Sequence, residues 1–212
     1  MIEFQEIKDP KSKSFAQFLE IYLDSFPENQ RLSTDIITQR LQRNIHQIFG
    51  GFWQDEVVFI AVLHPLKSTD FILLTYLGTQ ENFRGQGIGT EFIKHIVDVV
   101  SHDQKYLLLE VENPARGSER EKKAKRMKFY QKLGAREFNN VDYLLPPLSG
   151  DVPSEMKLII LPKYSDSFIK GNLVKQLIRQ IYQEVYSRSE DDQLLMTFIE
   201  TIPASVELIL PE

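Results

Sequence analysis

The run Phe83-Arg84-Gly85-Gln86-Gly87-Ile88-Gly89-Thr90 constrains this chain more than any other stretch. An apolar run before it, Phe71 to Leu77, reads as a strand. After it, Ile88, Phe92, Ile93, Ile96, Val97 and Val100 share one face of a helix over Ile88 to Val100. Three glycines in five positions let the backbone approach a ligand closely and adopt conformations closed to other residues. A helix that begins there presents unpaired N–H groups and the positive end of its dipole, so the turn suits an anion such as a phosphate. The plainer alternative is a tight strand-to-helix turn with no ligand.

Spacing sorts the phosphate motifs. A P-loop requires lysine and then serine or threonine after its last glycine, and Gly89 is followed directly by Thr90. A dinucleotide fingerprint requires Gly-x-Gly-x-x-Gly, and the third glycine would fall on Thr90 or on Phe92. Arg-x-x-Gly-x-Gly does fit, as Arg84, Gly87 and Gly89.

That pattern resembles the pyrophosphate-binding motif of the GNAT superfamily, the acetyl-CoA-dependent N-acetyltransferases. Leu77-Gly78-Thr79 is similar to the ending of that family's central strand, and Leu109-Glu110-Val111 to a common ending of the next one. Phe129-Tyr130-Gln131-Lys132-Leu133-Gly134-Ala135 is similar to the second family signature, with Ala135 in place of the usual phenylalanine. The likeness covers about Glu56 to Leu161 well and the first fifty residues loosely, and leaves the last fifty unexplained. It implies a mixed, mostly antiparallel α/β sheet, flanked by helices, with a central parallel strand pair splayed at the CoA site. On this basis residues 1–164 are expected to form the GNAT-like domain and residues 165–212 a helical C-terminal extension packed on it.

Composition narrows the alternatives. The 212 residues, 42% of them hydrophobic, suit one domain with an appendage. A net charge of −5 gives no basic footprint for nucleic acid, and no run of eighteen apolar residues points to a membrane span. The start, Met1-Ile2-Glu3-Phe4-Gln5, lacks the basic and apolar parts of a signal peptide, so a cytoplasmic protein is expected. With no cysteine there is no thiolate metal site and no cysteine acyl-enzyme. His46, His64, His95 and His102 form no ligand pair in sequence, so no metal is expected.

Along the chain, Ile2 to Ile7 reads as a strand and Ser14 to Ser25 as a helix ended by Phe26-Pro27. Ser33 or Thr34 caps a second helix whose stripe includes Ile37, Leu41, Ile45 and Ile48. Phe49 to Trp53 and Val57 to Leu63 flank a hairpin turn at Gln54-Asp55-Glu56. The strand Tyr106 to Val111 should lie parallel to Phe71–Leu77 through a right-handed crossover. Asn113 to Glu121 is a loop before the helix that carries Tyr130. Arg136 to Leu145 and Met156 to Leu161 read as closing strands. Leu173, Leu177, Ile181 and Val185 form a helical stripe, Leu194 to Ile202 a second helix, and Val206, Leu208 and Leu210 alternate like a strand. This last segment packs on the main domain, forms a homodimer interface, or closes over an acceptor.

The resemblance implies that backbone groups of Arg84, Gly85, Gln86, Gly87, Ile88, Gly89 and Thr90 hold the CoA pyrophosphate, with Leu77 and Thr79 bonding the pantetheine arm. It assigns Tyr130 as general acid for the departing thiolate, a phenol that is protonated at neutral pH. Tyr130 read without the family is a core residue beside Phe129. Many relatives carry a base on the strand before the turn, but Phe71 to Leu77 holds no acid. Alternation places Tyr106, Leu108 and Glu110 on one face of the next strand, which makes Glu110 either the base or a structural acid. The asparagine and alanine that often precede the family's tyrosine are Lys123 and Arg126 here. The surrounding basic run reaches the CoA 3′-phosphate or is a solvated helix face. Phe26 to Arg31 and Tyr143 to Pro147 are the expected acceptor lining, with Glu28 available to a cationic amine. The expected activity is transfer of acetyl from acetyl-CoA to a small-molecule or peptide amine. The other reading is a non-catalytic acyl-CoA-binding or partner-binding protein on the same fold.

Overall fold

A computed structural model describes residues 2–161 and 164–211. The chain divides into two units, Met1–Pro65 with Leu74–Ile96 and Leu148–Gly150, and Leu66–Leu73 with Val97–Pro147 and Asp151–Glu212.

The first unit begins with β1 (Glu3–Ile7), α1 (Lys13–Ser25) and α2 (Thr34–Gln42), followed by β2 (Gln47–Trp53) and β3 (Glu56–Pro65). It also holds most of β4 (Phe71–Thr79) and the start of α3 (Ile88–His102). β1 pairs antiparallel with β2, and β2 with β3. The two-residue β2–β3 turn places Gln54 and Asp55 at φ 48° and 65°, the left-handed geometry that matches strand twist in tight hairpins. Both early helices start on a serine whose hydroxyl accepts a backbone N–H: Ser12 from Phe15, and Ser33 from Ile36. Phe15, Phe18, Ile21 and Tyr22 of α1 and Ile37 and Leu41 of α2 bury with Ile48, Ile60 and Tyr76 in one core. The expected α2 stripe runs too far, because the helix stops at Gln42 and Asn44 takes φ 53°. Ile45 lies beyond the helix, and Ile48 is buried on β2 instead.

The second unit contains β5 (Tyr106–Glu112), α4 (Arg120–Lys132), β6 (Arg136–Phe138), β7 (Tyr143–Leu145) and β8 (Ser154–Ile160). After these come β9 (Phe168–Lys170), α5 (Gly171–Gln180), α6 (Gln193–Phe198) and β10 (Ser205–Ile209). The first residues of β4 belong here and pair in parallel with β5, where Tyr106 N–H donates to Asp70 O at 2.8 Å. The order then runs β5-β8-β6-β10-β9, with β7 also on β8. The sheet of the chain is therefore mixed and mostly antiparallel with one parallel pair, as the resemblance implies. The single closing strand expected over Arg136 to Leu145 is two, β6 and β7, separated where Asn140 takes φ 57°. The helix expected over Leu194 to Ile202 gives way to a tighter turn at Ile199–Thr201. Val174, Leu177, Ile178, Ile181, Tyr182 and Val185 bury in the same core as Leu108, Phe138, Leu158 and Ile160. Among the described residues no helix is long and apolar enough to cross a membrane.

Candidate active site

β4 ends at Thr79, a short turn spans Glu81–Phe83, and α3 begins at Ile88. Gly85 and Gly87 take φ of 77° and 83°, which only glycine adopts without strain. A Cβ built on either would meet no atom within 4 Å, so the demand for glycine is conformational and both positions face open space. The first bond of α3 runs from Glu91 N–H to Gly87 O at 3.0 Å. The N–H groups of Ile88, Gly89 and Thr90 therefore precede the helical ladder and lack partners within it. Gly89 has no left-handed φ and serves as part of the helix's first turn.

The side chains of the motif brace this turn. Arg84 Nε donates to Thr79 O at 3.0 Å, and its guanidinium lies 3.6 Å from the Asp24 carboxylate of α1. Gln86 Nε2 donates to Asn82 O at 3.1 Å. Arg84 and Gln86 thus tie the loop to the end of β4 and to itself, which leaves the backbone of Gly85 and Gly87 exposed. Leu77 and Thr79 are half-buried at the end of β4. Beside the turn, α1, the β2–β3 hairpin and Glu81–Phe83 line a cavity of about 630 Å³ that carries Glu20, Asp24, Glu56, Glu81 and the partly exposed Trp53. The segment Phe26 to Arg31 is held in place: Arg31 Nη1 donates to Phe26 O at 2.5 Å, and Leu32 is gripped by the hydroxyls of Tyr22 and Tyr76, each at 2.9 Å. Glu28 is exposed.

In the second unit Glu110 lies on β5 opposite Leu158 of β8. Its carboxylate accepts two phenol hydroxyls, Tyr143 on Oε1 and Tyr186 on Oε2, the latter at 2.5 Å. Burial pushes its pKa up to about 7, against the downward pull of both phenols. Tyr130 is buried on α4 with its ring edge-on to Phe129 at 4.9 Å. Burial pushes its phenol up to about 12, so it keeps its proton across the neutral range. No hydrogen bond joins Tyr130 to Glu110 in the structure, and each stands in its own surroundings.

Much of the basic run is paired. Arg126 meets the Glu112 carboxylate at 2.7 Å, with Lys123 at 3.8 Å from it. Lys122 pairs with Glu119, and Arg116 with Glu155 at 3.0 Å. Asn113 accepts the Ala115 N–H at 3.0 Å and shapes the loop after β5. Two of the histidines, unpaired in sequence, meet in space. His46 and His64 are both buried with ring centroids 5.2 Å apart, because β2 and β3 set them side by side across the hairpin. Burial, with lesser help from His64 and Arg40, lowers His46 to about 2 and keeps it neutral. Among the described residues no group of three or more His, Asp or Glu is placed to hold a metal ion.

Sequence reasoning misses Tyr186 and gives Tyr143 only a lining role. The one available signal is the spacing of Tyr182 and Tyr186, four apart on a helical pattern, which is also the ordinary spacing of core residues.

A strand, a glycine turn opening a helix, and a parallel partner strand define the class of fold. The model of the Acetyltransferase (GNAT) family matches residues 15–135, more than half of the chain, and the chain belongs to this family. Among solved structures, a GNAT-family protein of Bacteroides thetaiotaomicron aligns over 89% of this chain and 100% of its own, with TM-score 0.74 and 20% identity. The ribosomal-protein-S18-alanine N-acetyltransferase of Escherichia coli aligns over 76% and 94%, with TM-score 0.56 and 19% identity. A GNAT family acetyltransferase of Elizabethkingia anophelis with acetyl-CoA bound aligns over 76% and 97%, with TM-score 0.53 and 16% identity. At these identities the likeness is one of fold. No curated protein sequence matches the chain.

Proposed function

We propose that this protein is an acetyl-CoA-dependent N-acetyltransferase that passes acetyl directly to an amine of a small molecule or a peptide. The observation that carries the reading is the turn: two left-handed glycines deliver the chain to the open N-terminus of α3, with space in front of both. A diphosphate fits such a cradle, since close approach to the backbone and several convergent N–H donors are what it needs. The similar protein of Elizabethkingia anophelis holds acetyl-CoA, and that of Escherichia coli acts on an alanine of a ribosomal protein, which favours this donor and an amine acceptor.

Direct transfer forms a C–N bond and breaks a C–S bond. The amine gives up one proton and the leaving thiolate takes one up. In this reading Glu110, with a proton affinity near neutrality, takes the amine proton. Tyr130, protonated at working pH, gives its proton to sulfur. Backbone groups of Arg84 to Thr90 hold the pyrophosphate, and Leu77 and Thr79 bond the pantetheine arm as an added strand would. In this reading residues 1–164 form the transferase domain with 165–212 packed on it, and the core that α5 shares with β5 and β8 supports that packing.

The second reading, an acyl-CoA-binding protein without turnover, is favoured by one observation: β4 carries no carboxylate. A panel of small amines and peptide N-termini, assayed for CoA-thiol release with acetylated product identified by mass, decides between them. Product with any acceptor supports the transferase. Saturable acetyl-CoA binding with no product across the panel supports the binding protein, and absence of binding overturns both.

A further inference from the structure

The Glu110 carboxylate is gripped at both oxygens, and one of the two donors comes from far along the chain. Tyr143 reaches it from β7 and Tyr186 from the segment after α5, outside the residues that match the family model. We infer that this C-terminal segment is a working part of the acid–base site, with Tyr186 and Tyr143 as positioning residues that hold the Glu110 carboxylate ready to accept a proton. The inference rests on the reading of Glu110 as the base.

The chemistry of the donors supports it. A lysine or arginine beside a carboxylate holds it ionised far below neutral pH and removes its basicity. Neutral phenols stabilise the anion by hydrogen bonds while leaving burial to raise its proton affinity. The groups that face Glu110 are of this kind: Tyr143 from β7, Tyr186 and, farther off, Tyr182 from the C-terminal segment, with apolar Leu158 opposite on β8. One bond to each oxygen also fixes the plane of the carboxylate, so its remaining lone pairs point in set directions.

The backbone delivers Tyr186 by a local irregularity. α5 ends at Gln180, and Ile181–Val185 widen into a π turn, closed by Tyr186 N–H on Ile181 O at 3.2 Å. Such turns inside helices are frequent at functional sites, because the extra residue re-aims everything after it. In an unbroken α-helix Tyr186 would stand above Tyr182 on one face. Here the two rings are nearly perpendicular, 6.4 Å apart, and their hydroxyls part company. Tyr182 donates to Leu144 O, which braces the strand that carries Tyr143, while Tyr186 turns to Glu110.

The test is a carboxyl titration of the full-length protein labelled with 13C-glutamate, the Glu110 signal being assigned with Glu110→Gln. The wild-type midpoint is expected near 7. Loss of one hydrogen bond to the charged form moves the midpoint upward by about one unit in Tyr186→Phe, and likewise in Tyr143→Phe. Tyr182→Phe, which removes a hydroxyl that does not bond Glu110, moves it less than either. A Tyr186→Phe midpoint equal to wild type overturns the inference whatever the enzyme does in turnover, and Tyr143→Phe tests the grip in the same way if Tyr186→Phe does not fold. With an acceptor in hand, the acidic limb of kcat/KM against pH moves with the midpoint. If the midpoint moves and the limb does not, Glu110 is not the base and the catalytic role of the phenols falls with it.

Discussion

Replacing Gly87 by alanine separates what the turn costs from what it does. At φ 83° an L-residue sits in the left-handed region at a cost of about 1–2 kcal/mol. The added methyl meets no atom within 4 Å, so no steric term is added in the free protein. For a chain of this size the expected fall in Tm is about 2–8 °C. The methyl projects into the open space where the phosphate is proposed to bind. Displacing the anion from one backbone donor removes a charge-assisted bond of about 1.5–3 kcal/mol, roughly a ten- to hundredfold rise in Kd. Gly150→Ala is the matched control, since Gly150 has φ 70°, also faces open space and lies outside the motif in sequence. Thermal melts should show similar losses for both variants. Calorimetric titration with acetyl-CoA should show weakened binding for Gly87→Ala alone. Wild-type affinity in a folded Gly87→Ala protein would refute the phosphate assignment of this turn.

Tyr130→Phe deletes one hydroxyl while keeping the ring against Phe129, and the single-turnover rate should fall about a hundredfold with little change in acetyl-CoA affinity; an unchanged rate leaves Tyr130 as a core residue. Glu110 and His46 pull stability in opposite directions with pH. The raised Glu110 pKa means the native state binds the extra proton, so this group's contribution is lost as pH rises from its ordinary value to about 7, while the lowered His46 pKa means stability is lost as pH falls below the ordinary histidine range. The two offset each other in mildly acidic solution, so the useful measurement is the difference from Glu110→Gln: in urea unfolding the variant should gain about 3 kcal/mol on wild type between pH 5 and pH 8, and parallel curves would sink the claim. Gly171→Ala should unfold the second unit's C-terminal half or cost about 3 kcal/mol, because its Cβ would stand 1.8 Å from Pro203 O; a wild-type Tm would contradict that contact.

The parts of this molecule that are legible in the sequence are those specified locally. The strand, glycine turn and helix from Phe71 to His102 are written as a change of hydrophobic period punctuated by glycine. The hairpin at Gln54-Asp55 lies where two apolar runs meet a polar pair. The α2 stripe reads too long because Ile45 and Ile48 keep the helical spacing by chance, and nothing in the pattern marks the left-handed Asn44. Alternation puts Glu110 among apolar neighbours and so singles it out, but it cannot supply partners. Tyr143 and Tyr186 are distant in sequence from Glu110, and a π turn breaks the very periodicity from which the facing of Tyr186 would be read. His46 and His64 look unrelated along the chain and become neighbours only through strand register. The basic run from Arg116 into α4 resembles a phosphate grip, and Glu112, Glu119 and Glu155 claim several of its charges instead.

The place of β10 has a consequence for how the protein is made. It inserts between β6 and β9, with Leu208 opposite Phe138 and Val206 opposite Ile169. β6 leaves the ribosome long before β10, and β9 shortly before it, so neither has β10 beside it when it emerges. Until Ser205–Ile209 has been synthesised, β6 presents an open edge, the kind that recruits other chains. The nascent protein therefore passes through a stage with β1 to β9 made and this edge unfilled. Translation pauses in the α5–α6 region would lengthen that stage, and chaperone demand should peak there rather than early in synthesis.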